Sequence, residues 1–509
     1  MQLFLIIYFF ANSQIPTWIR QYGSSDRAEF AFGGIVETPD SGFVVAGGTW
    51  SDTIWDKDGY IIKIDNMGET LWTRRIGSMG IGAGGDFIWD VILNSNNELV
   101  FTGTRYKFPL SKQVWFLKYN LDGNLLTEKI IGETQEENGC KILQNPDGTY
   151  MIVGDTKSRG SQIGGKDVWL LKLNQEGETI WTKTYDLLFK DQGSGIIPFG
   201  NGNYLITAFS CTGQWLLPPA YMGFASYFII DSLGNVLKMV KFDEDSLTSF
   251  SNIRPTGDCG AIITGSRSAT DIFPNRDIWV LKLDANADTV WTKTIGTYRR
   301  YDGGCSIFQS DNGGYYLAAY SQGYTPPGME YDNWWLLRLD DAGETLWTRW
   351  WGGPLNDDPY SVMATADGGI IISGWRDANS SMGETLTIGN ADFYVIKADT
   401  NGCVNAIETR QAVNIKSPLQ LHIHPNPFNL TTSVQFSLSQ PDYVRLKIYD
   451  ARGGEIATLI DGHLNAGGHK VIYQATGQPN GVFLCRFEVG NRLCSTQKLL
   501  HLAPLKWNN

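Results

Sequence analysis

Asp58-Gly-Tyr60-Ile-Ile-Lys63-Ile-Asp65-Asn-Met-Gly68-Glu-Thr-Leu-Trp72-Thr-Arg74 is the stretch on which the fold turns. It reads as an apolar strand, a tight turn at Asn66-Met67-Gly68 and a second strand that carries a tryptophan. Related segments occupy residues 115–123, 167–181, 227–234, 277–291, 334–347 and 392–402. Their equivalent turn positions, Gly68, Gly123, Gly177, Gly234, Ala287, Gly343 and Gly402, stand 55, 54, 57, 53, 56 and 59 residues apart. Copies this evenly spaced make an internal repeat of seven units, the feature to be recognised before any other.

Working outward, each unit also opens with an earlier hairpin. Its turns read Pro39-Asp40-Ser41-Gly42, Asn145-Pro146-Asp147-Gly148, Gly200-Asn201-Gly202-Asn203, Asp311-Asn312-Gly313-Gly314 and Asp367-Gly368-Gly369. Gly, Asn and Asp supply the positive φ that tight hairpins require. The strands that follow, such as Phe43-Val-Val-Ala-Gly47 and Ile370-Ile-Ile-Ser-Gly374, are apolar on both faces and therefore buried on both. Four short antiparallel strands per unit, with no helical period anywhere, predict an all-β chain whose residues 14–404 form a seven-bladed β-propeller.

The Asp-x-x-Gly-x-x-x-Trp-Thr pattern of residues 65–73 and 340–348 resembles the tryptophan-docking motif of pyrroloquinoline-quinone-type propellers. That resemblance implies a Trp on the outermost strand, stacked against the next blade. Asn174 replaces the Asp in the third unit, and Ala287 the Gly in the fifth. Thr127 and Lys238 replace the Trp in the second and fourth units, where an irregular ring is expected. The seventh unit stops at Gly402-Cys-Val-Asn405 without a Trp strand, while Trp18-Ile-Arg-Gln-Tyr-Gly23 is an orphan copy of Trp72-Thr-Arg-Arg-Ile-Gly77. The N-terminal strand is therefore expected to complete the last blade and close the ring, removing an exposed sheet edge.

Composition narrows the function classes. With 42% hydrophobic, 13% aromatic and 18% charged residues, 57 Gly and 18 Trp, the chain is neither disordered nor a coiled coil. A net charge of -12 argues against nucleic acid as a partner. The apolar run of residues 3–10 is too short to span a bilayer, and Ala11-Asn12-Ser13 supplies a small-residue cleavage site, so residues 1–13 read as a signal peptide. A buried first strand is the alternative. Seven scattered cysteines without Cys-x-x-Cys spacing suit neither a zinc site nor a disulfide scaffold.

Past residue 404 the Trp-rich repeat ends. Residues 405–418 read as a polar linker, and residues 419–503 as a series of short alternating strands, a small immunoglobulin-like sandwich, followed by a tail at 504–509. From Pro418 onward 8 Lys or Arg face 5 Asp or Glu, a local +3. The order of motifs resembles the C-terminal sorting domain of type IX secretion cargo. The landmarks are Pro425-Asn426-Pro427-Phe428, Lys447-Ile-Tyr-Asp450 with its Gly453-Gly454 turn, Leu464-Asn-Ala-Gly467, Asn480-Gly481-Val-Phe483 and Lys498-Leu-Leu500. Phe483 and Cys485 stand where that family usually has tyrosines. The resemblance implies export to the cell surface or medium with the type IX machinery as partner. The alternative is an ordinary adhesive domain that stays attached.

Catalytic constellations are hard to assemble. All five histidines lie beyond residue 420, so the propeller has no imidazole for a Ser-His-Asp or Cys-His arrangement. His422 and His424 share a face by parity but lack a third metal ligand, so no metal and no cofactor are expected. Asp26, Asp86, Asp302, Asp357 and Asp358 follow the Gly that ends each Trp strand, and their recurrence points to capping of loop amides. The cations Lys63, Lys118, Lys172, Lys282, Arg338 and Lys397 recur on third strands, as packed stems reaching solvent or a carboxylate. Cys485 and Cys494 flank a hairpin, as a cross-strand disulfide or as two separate thiols.

Aromatics concentrate in the loops between second and third strands: Trp50, Trp55, Trp215, Tyr221, Tyr324 and Trp375. On a rigid scaffold such side chains suit stacking on sugar rings or docking a peptide, or they pack their own loops. The resulting expectation is a secreted or surface-displayed monomeric binding or scaffold propeller without catalysis. A glycan-degrading enzyme using loop carboxylates is the alternative.

Overall fold

The computed structural model describes residues 15–502 except 24–26, 52–55, 78–84, 108–110, 161–164, 212–222, 243–247, 269–275, 298–299, 324–330, 353–354, 378–390, 405–408, 413–420, 439–440, 451–453, 466 and 490–491. The chain divides into two compact units, Met1–Val413 and Asn414–Asn509. Every regular element among the described residues is a β-strand.

The second sheet of the first unit shows the plan: Phe87–Leu93, Leu99–Lys107, Ser111–Tyr119 and Leu125–Ile131 pair in chain order as an antiparallel meander. Four further sheets repeat it between residues 137 and 351. In the first sheet the innermost strand is split into Ala28–Phe30 and Ile35–Glu37, both paired with Phe43–Ser51. Middle strands such as Tyr150–Thr156 are buried along their whole length, whereas the outer strand Thr179–Tyr185 is largely exposed. A strand covered by neighbouring sheets on both faces has no reason to alternate. The buried apolar residues of the unit fall into seven clusters, one at each junction between successive sheets. The cluster of Trp18, Tyr22, Phe43, Tyr60 and Phe393 joins the last sheet to the first, so the ring is closed.

In that last sheet Asp357–Ala364, Ile370–Asp377 and Ala391–Ala398 are followed by the N-terminal strand Trp18–Gly23, antiparallel with Trp18 opposite Lys397. The strand exchange expected from the orphan repeat is the arrangement found. One correction accompanies it. The stretch 405–418 is not wholly a linker, because Thr409–Ala412 adds a fifth strand, parallel to Trp18–Gly23. Once Trp18–Gly23 is the outer strand, its free edge offers backbone groups to the chain that returns past it, a role that four polar and small residues do not announce.

Three outer-strand tryptophans reach across to the neighbouring sheet. Trp72 donates its indole N–H to Leu121 O at 3.0 Å, Trp291 to Asp341 O at 3.1 Å, and Trp18 to Asn66 O at 2.9 Å. Each thus reaches the turn of the following sheet. A Cβ at Gly343 would lie 2.8 Å from the Trp291 ring, so the turn glycine is required by close approach as well as by its positive φ. The expected irregularity has a specific form. Lys238, in place of Trp, donates to Ala287 O at 2.8 Å and pairs with Asp288 at 2.6 Å. With no indole pressing on it, that turn tolerates the Cβ of Ala287 at φ 55°. Third-strand cations pair with first-hairpin carboxylates: Lys63 with Asp40 at 2.6 Å, Lys282 with Asp258 at 2.7 Å and Lys397 with Asp367 at 2.7 Å.

The second unit is a sandwich of a three-stranded sheet, His422–His424, Thr431–Leu438 and Gly467–Gln474, and a four-stranded sheet running from Asp442–Asp450 to Arg492–His501. Alternating residues of both sheets, including Val434, Phe436, Leu446, Ile448, Phe483 and Phe487, fill one core. Cys485 is a buried free thiol whose register partner on the last strand is Gln497.

Candidate functional site

The first strands converge on the ring's axis, and there the register of six of them slips by one residue. The slips pass over Trp89, Cys140, Ser194, Ser251, Cys305 and Tyr360. In the first sheet Phe32 takes the same place, in the gap between the two halves of the split strand. A bulge bends the strand and re-aims one side chain, and here it does so in six of the seven blades. All seven residues line one cavity of about 550 Å³. That volume falls within the range of small-molecule sites.

The seven side chains divide the channel into two sectors. Tyr360, Phe32 and Trp89, from the seventh, first and second sheets, are neighbours: Phe32 meets Tyr360 at 5.2 Å and Trp89 at 5.5 Å between ring centroids. Phe30 stacks on Phe32 at 5.3 Å, and Phe87 lies 5.7 Å from Trp89. The remaining four bulge residues are small, and polar groups flank them. Trp89 donates its indole N–H to Thr104 Oγ1 at 2.9 Å, and that hydroxyl donates to Asn138 Oδ1 at 3.0 Å. Asn138 Nδ2 and Gln192 Nε2 then donate to the two oxygens of Asp155, at 2.9 and 3.3 Å, and Lys166 pairs with the same carboxylate at 2.9 Å. This chain orients the amides of Asn138 and Gln192 at the channel wall.

Asp358 and Tyr360 close the circle. Tyr360 is 38% exposed, and it lines the channel. Asp358 is raised: burial, with Asp332 and Asp357 nearby, pushes its carboxyl up to about 7. Asp358 Oδ1 is buried without a hydrogen-bond partner. Burial likewise raises Asp332. The two channel thiols are poor nucleophiles, since burial pushes Cys140 up to about 12 and Cys305 well above its ordinary value.

The loop carboxylates separate into two kinds. Asp86 accepts Tyr106 N at 2.6 Å, Asp302 accepts Thr297 N, and Asp357 accepts Asp377 N at 3.1 Å, which is the expected amide capping. Asp358 is different, because it faces the channel. Asp26 lies outside the described residues.

Of the six loop aromatics, Trp55, Trp215, Tyr221 and Tyr324 also lie outside them. Trp50 is covered by the Lys57 ammonium at 3.7 Å from its ring, and no lining residue of the channel is near it in sequence. Trp375 packs edge-on against Phe30 at 5.3 Å and so extends the aromatic sector. Both indole N–H groups are buried without a partner. The bulge ring itself escaped sequence reasoning. Its one visible trace was that Cys140 and Cys305 occupy related repeat positions.

The motif residues of the second unit gather around its last strand. Asn426 donates Nδ2 to Lys498 O at 2.7 Å and accepts Leu500 N at 2.8 Å, acting as a surrogate strand partner. Phe428 continues the pairing with Leu500 and Leu502 through its backbone. Thr432 donates to Pro425 O at 2.7 Å, and Gly481 pairs with His501. Pro427 lies between these contacts, and Gly453 is outside the described residues.

No protein-family model and no curated protein matches the chain. Solved structures do. It is similar to a Bacteroides caccae protein of unknown function, 15% identical over 57% of this chain and 89% of that one, with a TM-score of 0.35. It is also similar to the Penicillium chrysogenum alpha-L-arabinanase, at 12%, 75%, 93% and 0.40 for the same measures. A puromycin hydrolase gives 10%, 82%, 59% and 0.43, so this chain spans about three fifths of that protein. At such values the likenesses bear on neither ligand nor reaction. Among the described residues no helix is long and apolar enough to cross a membrane.

Proposed function

We propose that this chain is an exported glycan-binding propeller, without catalysis of its own, that holds its ligand in the central channel. The observation that carries this reading is the division of one cavity into a contiguous aromatic sector, Tyr360, Phe32 and Trp89, and a polar sector holding Asn138 and Gln192. A sugar ring has that same duality, an apolar face and a hydroxyl edge. A glycan array run beside a hydrolysis screen tests it, with Tyr360→Ala as the control. Binding without turnover, lost in the variant, is the expected result. Silence in both assays supports a pure scaffold.

One observation favours a glycan-degrading enzyme as the second reading. A carboxyl that carries a proton near pH 7 is what general-acid chemistry needs, and Asp358 is such a group in the channel wall. Hydrolysis abolished by Asp358→Asn would establish that reading over the first.

The second unit serves, in this proposal, as a type IX-type sorting module acting after the signal of residues 1–13. Its support is the order of motifs and the way Asn426 fastens the final strand. Deleting residues 414–509 spares the strand Thr409–Ala412 and is expected to leave a folded propeller in the periplasm. Fractionation reads the outcome, and a truncated chain that still reaches the surface makes the sandwich an ordinary appendage.

A further inference from the structure

Two residues before the bulge, each first strand presents a second position of the same register. Asn138 and Gln192 of the polar sector stand there in the third and fourth sheets, and Asp358 stands there in the seventh. Phe30, Phe87, Ser249 and Gly303 hold the same place in the other sheets, so Asp358 is the one charged residue of this ring. Its neighbours in ring order are aromatic. On the side of the sixth sheet Gly303 has no side chain, and the ring of Tyr320, its register partner, fills the space. A Cβ at Gly303 would lie 2.5 Å from Tyr320 Cζ. On the side of the first sheet stands Phe30, packed edge-on against Trp375, the register partner of Asp358. Tyr320, Asp358 and Tyr360 all line the channel.

Within that aromatic setting Asp358 lacks a positive partner among the described residues. Its Oδ1 is buried without a hydrogen bond, and the charges that bear on its carboxyl, Asp332 and Asp357, are both negative. The cations that line the channel are placed elsewhere. Lys141 pairs with Asp90 at 3.3 Å, and Arg254 stands three residues past Ser251, on the opposite side of the bulge ring from Asp358. Among the described residues no group of three metal-ligating side chains includes Asp358. A buried carboxyl of this kind ionises readily only when a cation arrives beside it.

We infer that the glycan held in the channel carries a free amine, as a glucosamine unit does, and that its ammonium pairs with Asp358 beside Tyr320 and Tyr360. The inference rests on the reading of the channel as a glycan site and names the class of glycan. An ammonium donates charge-assisted hydrogen bonds to a carboxylate, and aromatic faces attract the same cation. Asn138 and Gln192, in the same ring of positions, remain to bond the hydroxyls of the sugar. A neutral or N-acetylated sugar brings no charge to Asp358 and leaves that carboxyl unmatched.

The test is calorimetric titration of the full chain near neutral pH with three β-1,4-linked tetramers, of glucosamine, of N-acetylglucosamine and of glucose. They share a backbone and differ at the second carbon of each ring. The expected result is one site per chain and at least a tenfold preference for the glucosamine tetramer. That preference is expected to vanish in Asp358→Asn. The chain's net charge of -12 attracts any polycation, but the substitution removes a single charge, so a preference owed to overall charge would survive it. A preference that survives in Asp358→Asn overturns the inference. Equal binding of all three tetramers, lost in Tyr360→Ala, overturns it as well and leaves the glycan reading standing. Binding of none of them overturns both.

Discussion

Around its outside the ring repeats a side-chain contact, and along its axis it repeats only a backbone distortion. Trp18, Trp72 and Trp291 all reach the next sheet's turn in one way, and even Lys238 keeps the donated hydrogen bond. At the axis every blade shares the slipped register or its gap, yet the residue presented changes from Trp to Cys to Ser to Tyr. Contacts that must close a ring converge on one solution. Positions that share a geometry while differing in chemistry have been left free to make a site.

The largest test of this contrast removes residues 18–23, which hold the last sheet to the first. The whole ring is expected to lose most of its stability, on the order of 5 kcal/mol or more. Unchanged cooperative unfolding in urea would refute the closure. Trp291→Ala, on the outer belt, should cost about 2–3 kcal/mol by the same measurement and leave ligand affinity untouched.

Asp358→Asn sharpens the comparison from the inside. The native carboxyl titrates near 7 instead of in the ordinary aspartate range, so folding favours its protonated form. Stability from this group is therefore fully present below about pH 4, is lost as pH rises towards 7, and stays lost above it. The variant should be more stable than the native chain at pH 8, by on the order of 2 kcal/mol, and no more stable at pH 4. Thermal melting across that range decides it. The smallest effect on folding is expected of Tyr360→Ala, at most about 1 kcal/mol, because its ring faces channel space. Binding, by contrast, should fall at least tenfold. A Tyr360→Ala chain that is strongly destabilised yet binds normally when folded would reverse the assignment of belt and channel.

How much of this was legible in the sequence follows the same division. Turn glycines such as Gly68 and Gly343 are legible because an indole and a positive φ together exclude other residues. Closure was legible because Trp18-Ile-Arg-Gln-Tyr-Gly23 copies an outer strand that the seventh unit lacks. The bulge ring was not, since a bulge shifts the alternation by one residue and so erases the period that would announce it. Asp358 looked like one more loop-capping carboxylate. Only its place beyond the end of the outer strand, beside Asp357 and two residues before a bulge, separates it from the others. Thr409–Ala412 has no apolar pattern because it lies at a sheet edge and pairs through its backbone.

The order in which the chain is made acquires a meaning from its closure. Gln21 bonds Asp392 across 371 positions of sequence. A ribosome adding roughly 5–20 residues each second would take on the order of 20–70 s to supply that partner. Throughout that interval the strand Trp18–Gly23 lacks its antiparallel backbone partner, although Trp18 and Tyr22 can already reach the turn of the first sheet. The ring can close only when the third strand of its last blade, Ala391–Ala398, has been made, with the second unit still to follow.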